Sequence, residues 1–223
     1  MLTRLIPALA TCALLGPVLP AQTAGLTGKM ESDTYVSATG EFRFPSPVLP
    51  ELGGKITDTE NVVTFSDSFN VHISLACFPQ DASQKWELET RGRRDYLLYF
   101  FTTFVLADFQ RRYPGSQIES ARFVPELLDG ALIAYALLPG GSFFEGRNSV
   151  LGNSGPAPVT AKRGTLLFAR LGHVYVVSTE LAERATQRST YQQSVEKEDA
   201  VLNERLTALA SRFIFPAVKP RTP

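Results

Sequence analysis

The sequence predicts an α/β (α+β) protein in which an antiparallel β-sheet is covered by helices on both faces, a helix–sheet–helix sandwich. Three observations lead there. Ala131 to Leu138 and Val174 to Val177 are apolar at both parities, whereas an antiparallel strand with one wet face alternates, so these strands are expected to carry a layer on each side. Two stretches with helical signals, 87–113 and 192–212, are available to form those layers. Turn signals at Asp129-Gly130 and Gly172 join strands as hairpins, which makes the sheet antiparallel.

In chain order, Arg4 is followed by the uncharged apolar run Leu5 to Leu19 and then by Pro20-Ala21-Gln22-Thr23-Ala24. A positive start, a short apolar core and small residues after it describe a secretory signal peptide over 1–24, cleaved after Ala21 or Ala24. The run is shorter than the roughly 20 residues a spanning helix needs, and Pro7 and Pro17 interrupt it. Leu9-Ala10-Thr11-Cys12 loosely resembles a lipobox, which would anchor the chain by a lipid at Cys12. Thr11 suits that motif poorly and the apolar run continues past the cysteine, so lipidation is the lesser reading. Residues 25–216 are expected to form one α/β sandwich domain and 217–223 a flexible tail, exported to the periplasm or the extracellular space.

After the polar stretch Met30 to Thr39, Glu41-Phe42-Arg43-Phe44 alternates like a strand and stops at Pro45. Asn61 to Phe65, the turn residues Ser66 to Asn70, and Val71-His72-Ile73-Ser74-Leu75 read as a hairpin with one apolar face. That alternation places His72 on the exposed side, and His173 falls at a turn with the same expectation. Cys77 continues the period of two from Val71, Ile73 and Leu75, so it is expected to be buried and, with Cys12 removed, unpaired.

Tyr96 to Ala107 is apolar, preceded by Arg93-Arg94-Asp95 and ended by Arg111-Arg112-Tyr113-Pro114-Gly115. Basic residues in a last turn followed by Pro-Gly are C-terminal helix signals. The stretch is expected to be a largely buried helix carrying Phe100, Phe101, Phe104 and Phe109. Phe101 and Phe104, three apart, should share its core face. Arginines 91, 93, 94, 111 and 112 bracket it as solvated helix ends, with an anion or lipid-headgroup site as the alternative. Ser120 to Leu128 pairs through Asp129-Gly130 with Ala131 to Leu138, and Thr165 to Leu171 pairs through Gly172 with 173–179. In 192–212, Val195, Leu202, Leu206 and Leu209 repeat at helical spacing while Glu196, Lys197, Glu198 and Arg205 are expected on the surface. Phe213-Ile214-Phe215 reads as a short closing strand.

Composition narrows the function. Lys plus Arg equals Asp plus Glu, at 22 each, so there is no basic excess for nucleic acid and none is expected as a partner. Gly152-Asn153-Ser154-Gly155-Pro156 is close to a chymotrypsin-like nucleophile segment but has Asn where that motif has Asp, and lacks its second glycine. Gly141 to Asn148 has the spacing of a phosphate-binding loop, but Arg147 and Asn148 replace its Lys and Ser/Thr. Two histidines and one mature cysteine do not make the usual zinc clusters. No catalytic residue, metal ligand or cofactor site is therefore assigned, and the chain is expected not to be an enzyme.

The segment from Pro139 to Lys162 contains five glycines and, after Pro139, two further prolines, Pro156 and Pro158, between two strands, far longer than an ordinary hairpin loop. Phe143 and Phe144 are costly to leave in water and either fold back onto the sheet or, with Arg147, make the contact point for a partner or ligand, since aromatic and Arg residues dominate binding energy at interfaces.

From Tyr35 to Pro216 the chain resembles the PsbP-like domains of the Mog1/PsbP fold. The residues that carry the resemblance are Tyr35, Gly40, Phe42 and Phe44 before Pro47, then Val63, Phe65 and Asp67, then Asp129-Gly130-Ala131, Arg163-Gly164 and Phe213-Ile214-Phe215. The long segment after Leu138 departs from it, and no family metal ligand maps onto this chain. The resemblance implies a non-enzymatic, extracytoplasmic accessory or binding protein whose partner is an unknown protein or a small apolar ligand. A carrier of lipid or another apolar ligand and an exported hydrolase are the alternatives; the first needs a cavity, the second converging polar groups.

Overall fold

A computed structural model describes residues 25–144, 158–187 and 190–217. The signal-peptide segment and Arg147 lie outside the described residues. Among the described residues, ten strands form two sheets. β1 (Lys29–Glu31), β2 (Thr34–Val36) and β3 (Arg43–Pro45) make a small antiparallel sheet. β4 (Lys55–Asp58), β5 (Val62–Ser66), β6 (His72–Pro79), β7 (Gln117–Val124), β8 (Ala131–Pro139), β9 (Thr160–Arg170) and β10 (His173–Glu180) make a seven-stranded sheet in the order β4-β5-β6-β10-β9-β8-β7. Every pairing in it is antiparallel. The helices of the described residues are a 3-10 turn (Pro50–Leu52), α1 (Ala82–Arg91), α2 (Arg93–Phe100), a π-helical segment (Phe101–Leu106), α3 (Ala107–Arg112), α4 (Glu183–Thr186) and α5 (Val195–Ala210).

Turn chemistry sets the register. Leu171 and Gly172 both have positive φ, 50° and 75°, the geometry of the two-residue hairpin turn whose twist matches its strands. It closes β9 onto β10 so that His173 faces Arg170 and Val177 faces Leu166. Asp67 Oδ1 accepts the Phe69 and Val71 N–H groups at 2.8 and 2.9 Å, folding the β5–β6 connection as an Asx turn.

The layers form on both faces, as the two-parity strands require. On one face Ile133, Leu166, Phe168, Tyr175, Val177, Leu75 and Phe65 pack with Leu202, Leu206 and Leu209 of α5. A β-carbon on Gly164 would lie 3.0 Å from Leu206 Cδ1, so the glycine lets α5 approach β9 closely. The small sheet covers the rest of this face. Its Tyr35, Phe42 and Phe44 join Phe213 and Phe215 in an aromatic cluster around Phe168 and Tyr175. Asp58 anchors it, accepting the Thr27 and Gly28 N–H groups at 2.8 and 2.7 Å and the Tyr35 hydroxyl at 2.7 Å. On the opposite face Tyr96, Leu97, Phe100 and Phe101 pack on Leu132, Ala134, Leu167, Ala169, Val174 and Val176.

Several expectations are corrected. Phe101 is fully buried, but Phe104 is 46% exposed. Residues three apart share a face in an α-helix, and the wider π turn over 101–106 breaks that relation. Glu198, expected on the surface, is buried, and Val195 is exposed. Lys162 is also fully buried, and the buried stripe of α5 starts at Glu198 because this lysine needs counter-charges. Phe213 to Phe215 contributes one bridge, Ile214 to Arg43, rather than a strand. The helical region begins earlier than 87, with Asp81 capping α1 by accepting the Gln84 N–H at 2.7 Å. Cys77 is buried and unpaired, as expected, and burial pushes its thiol up to about 11.

Candidate functional site

Seven strands at about 4.8 Å spacing span roughly 30 Å, whereas one helix with its side chains is about 10–12 Å across. The small sheet completes the covering on the α5 face. On the other face the helices lie over β8, β9 and β10, and among the described residues the groove-side surface of β5 and β6 is left open.

The result is an open groove with a volume of about 900 Å³. Its floor is the alternate set His72, Ser74, Ala76 and Phe78 on β6, flanked by Val62 and Thr64 on β5 and by Val176 and Ser178 on β10. Six residue steps along a strand make that floor about 20 Å long. The wall is the π-helical segment and α3, which present Thr103, Phe104, Asp108 and Phe109. Phe104 stands against Phe100, with ring centroids 4.9 Å apart, and Phe100 faces Phe78 at 6.4 Å. A row of phenylalanines thus lines the groove from the helix to the floor. π turns often occur at functional sites, and here the turn is what rotates Phe104 out of the core.

One end is closed by a three-layer stack. The Phe143 ring lies parallel to His72 at a centroid distance of 3.5 Å, and the Arg163 guanidinium sits 4.3 Å from the centre of the same ring. The guanidinium also lies 5.3 Å from the Phe109 ring. His72 is therefore half-buried under Phe143, not an exposed sheet-face residue. His173 is also half-buried, with Glu41 at 3.6 Å from its Nδ1. Glu180 holds the turn that carries Phe143: its carboxylate accepts the Ser142 hydroxyl at 2.5 Å and the Phe143 N–H at 3.0 Å. Phe144, next along, is buried at 2% exposure and anchors that turn.

Arg163 is the buried charge of this end, its side chain 7% exposed. It donates to the Gly141 carbonyl at 3.0 Å and stands 3.6 Å from Glu180. Its Nε has no hydrogen-bond partner among the described residues. Burial pulls its pKa down, and Glu180 and Tyr113 pull it back up. At the rim, Arg111 and Arg112 share one carboxylate, Asp108.

Lys162, the neighbouring residue on β9, points to the α5 face and shows the contrast. Its ammonium lies 2.5 Å from Glu119, 2.5 Å from Asp199 and 3.2 Å from Glu198. Glu198 also meets Arg184 at 3.2 Å and takes the Tyr191 hydroxyl at 2.9 Å. Burial alone would lower the Lys162 pKa, but hydrogen bonds to the three carboxylates outweigh it and raise it. This network of ion pairs ties α5 to β7 and β9. A smaller recess of about 280 Å³ lies on the α5 face, between Ile73 and Arg212.

Among the residues singled out in sequence, the structure brings Phe104, Phe109, Phe143, Arg111, Arg112 and His72 to one groove. Arg163, Ser74, Ala76 and Phe78 join them without having been singled out for a site. Their signal was present: β5 and β6 alternate strictly while β8 and β10 do not, and the change marks where the helices stop. Among the described residues no group of three or more His, Cys, Asp or Glu side chains could hold a metal ion, and no helix is long and apolar enough to cross a membrane.

No protein-family model matches the chain, and no curated protein does. Solved structures do. The solution structure of cyanobacterial PsbP (CyanoP) from Synechocystis sp. PCC 6803 is similar at 14% identity and a TM-score of 0.47, over 90% of this chain and 100% of that one. The Saccharomyces cerevisiae Ran-binding protein Mog1p is similar at 8% identity and a TM-score of 0.45, over 84% of this chain and 96% of that one. The seven-stranded sheet with helices on both faces is an α+β architecture.

Proposed function

We propose that the protein is an exported, non-catalytic binding or accessory protein and that the groove beside the π-helical segment is where it binds. The observation that carries this reading is the groove itself: about 900 Å³ of space over half of one sheet face, with Phe104 46% exposed. Ligand pockets commonly measure 300–1,000 Å³, with mostly apolar walls and a few placed polar groups. Here Val62, Ala76, Phe78, Phe104 and Val176 supply the walls, and His72, Ser74, Thr103 and Ser178 the polar groups. Phe143 is the contact residue of the 139–162 segment, Phe144 its support, and Arg147 a further contact from beyond the described residues. Export follows from the leader pattern over 1–24.

The test is to fill the groove. Ser74→Trp projects a large ring from the middle of the floor without touching the core on the other side of β6. N-phenyl-1-naphthylamine, a neutral apolar fluorophore, should brighten on the wild-type protein and saturate at one molecule per chain. The variant should lose that response while unfolding at an unchanged urea midpoint. Equal brightening by both proteins would place apolar binding elsewhere and end this reading.

A further inference from the structure

Resting on the reading of the groove as a binding site, we infer that its ligand is a single-chain anionic amphiphile of the long-chain carboxylate class, with its acidic head at the Arg163 end. Charge makes the first argument. Three arginines line the groove, Arg111, Arg112 and Arg163, against Asp108 and, behind Arg163, Glu180, so one positive charge is left over, which favours an anion there and opposes a cation.

Hydrogen bonding makes the second. Arg163 has a side chain more than nine-tenths buried, a carbonyl acceptor at 3.0 Å, the Tyr113 hydroxyl beside it, and Glu180 at 3.6 Å. Glu180 meanwhile spends both of its oxygens on Ser142 and Phe143. A guanidinium has five N–H donors, and the unpartnered Nε is one of them. A buried donor left unsatisfied costs free energy that an incoming acceptor recovers. Carboxylates suit a guanidinium because both are planar forks. The contrast with Lys162 is direct: that buried cation is met by three carboxylates within 3.2 Å.

Shape makes the third. The floor runs about 20 Å along β6 in a straight line, from His72 beside the arginine to Phe78 at the far end. An extended chain laid along it meets Ala76, Val176 and the Phe104 ring, and its head reaches Arg163 where Phe143 covers it. Displacing Phe143 from the guanidinium would open that contact, so the phenylalanine serves as a plug that the head replaces.

Titration calorimetry on the full mature chain reads this directly, with palmitate, hexadecanol and hexadecyltrimethylammonium as probes. Palmitate should bind with one molecule per chain, hexadecanol at least tenfold more weakly, and the cationic amphiphile more weakly still. Arg163→Gln should weaken palmitate at least tenfold and leave hexadecanol unchanged. Because Arg163 is buried, an exposed pair keeps the test decisive if that variant does not fold: Arg111→Gln with Arg112→Gln should weaken palmitate severalfold and hexadecanol not at all. Binding to phosphatidylglycerol vesicles that palmitate competes away would support the same site taking its chain from a membrane. Equal affinity for palmitate and hexadecanol, or vesicle binding indifferent to palmitate and to the arginine variants, would overturn the inference while leaving the groove reading intact. If no probe binds and Ser74→Trp changes nothing, the groove reading fails with it.

Discussion

Phe101 and Phe104 differ in accessibility because of the π turn, and truncating each gives opposite outcomes. Phe101 is fully buried against the sheet, so Phe101→Ala removes a packed ring and leaves a cavity, at about 3–5 kcal/mol. Phe104 keeps 46% of its surface exposed and rests against Phe100 and Tyr99. Burying a whole Phe is worth about 1.5–3 kcal/mol, so Phe104→Ala should cost roughly 1 kcal/mol. With a urea slope near 2 kcal/mol/M, the midpoints should fall by about 2 M and about 0.5 M respectively. Equilibrium unfolding by circular dichroism measures both, and N-phenyl-1-naphthylamine binding by the folded Phe104→Ala protein should drop severalfold. Equal destabilisation by the two variants would mean that residues 101–106 wind as an ordinary α-helix. The groove would then have no aromatic wall.

Lys162→Met removes the cation that Glu119, Glu198 and Asp199 share, leaves Glu198 buried with Arg184 and Tyr191, and should cost about 3 kcal/mol in a urea melt, since breaking a buried pair strands its partner. Adding Glu198→Gln should recover part of that loss, and a fully additive pair would contradict the network. The raised pKa of Lys162 means its stabilisation is complete below the unfolded value of 10.5 and is lost as pH climbs through the folded value, so melting temperature should fall above pH 10.5 by more in wild type than in Lys162→Met. Cys77, buried and pushed up to about 11, should label slowly with a thiol reagent in the native protein and fast in denaturant; rapid native labelling would contradict its place in the core. N-terminal sequencing of protein from the native host should begin near Gln22 or Gly25; retention of Met1, or a lipidated Cys12 as first residue, would refute export by signal cleavage.

The main sheet was legible in the sequence because its signals are local. The Asp129-Gly130 and Gly172 turns announce their hairpins, and the two-parity strands 131–138 and 174–177 can be buried on both sides only if layers exist there. What escaped depends on partners distant in sequence. Glu198 is buried because Lys162, 36 residues away, is buried with it. β1 and β2 are only three residues long and are stabilised by Asp58 of another sheet, so no periodicity reveals them. The π turn has no composition of its own, and the Phe-Thr-Thr-Phe run that forms it reads as ordinary helix. The groove was half legible. Strict alternation in β6 gave its open face, but only the packing shows that the helices leave that face uncovered and that Phe143 and Arg163 close its end.

Methyl and amide NMR of the mature protein titrated with N-phenyl-1-naphthylamine tests the central claim most directly, because it locates apolar binding without presuming the ligand. The groove residues Val62, Ala76, Phe104 and Val176 line one wall-and-floor unit, while Leu202, Leu206 and Leu209 sit on the other side of the sheet. The account predicts saturable shifts concentrated on the first set and on Phe143, with the α5 residues unmoved. Shifts concentrated on α5 or the recess at Ile73 and Arg212, with the groove silent, would contradict it.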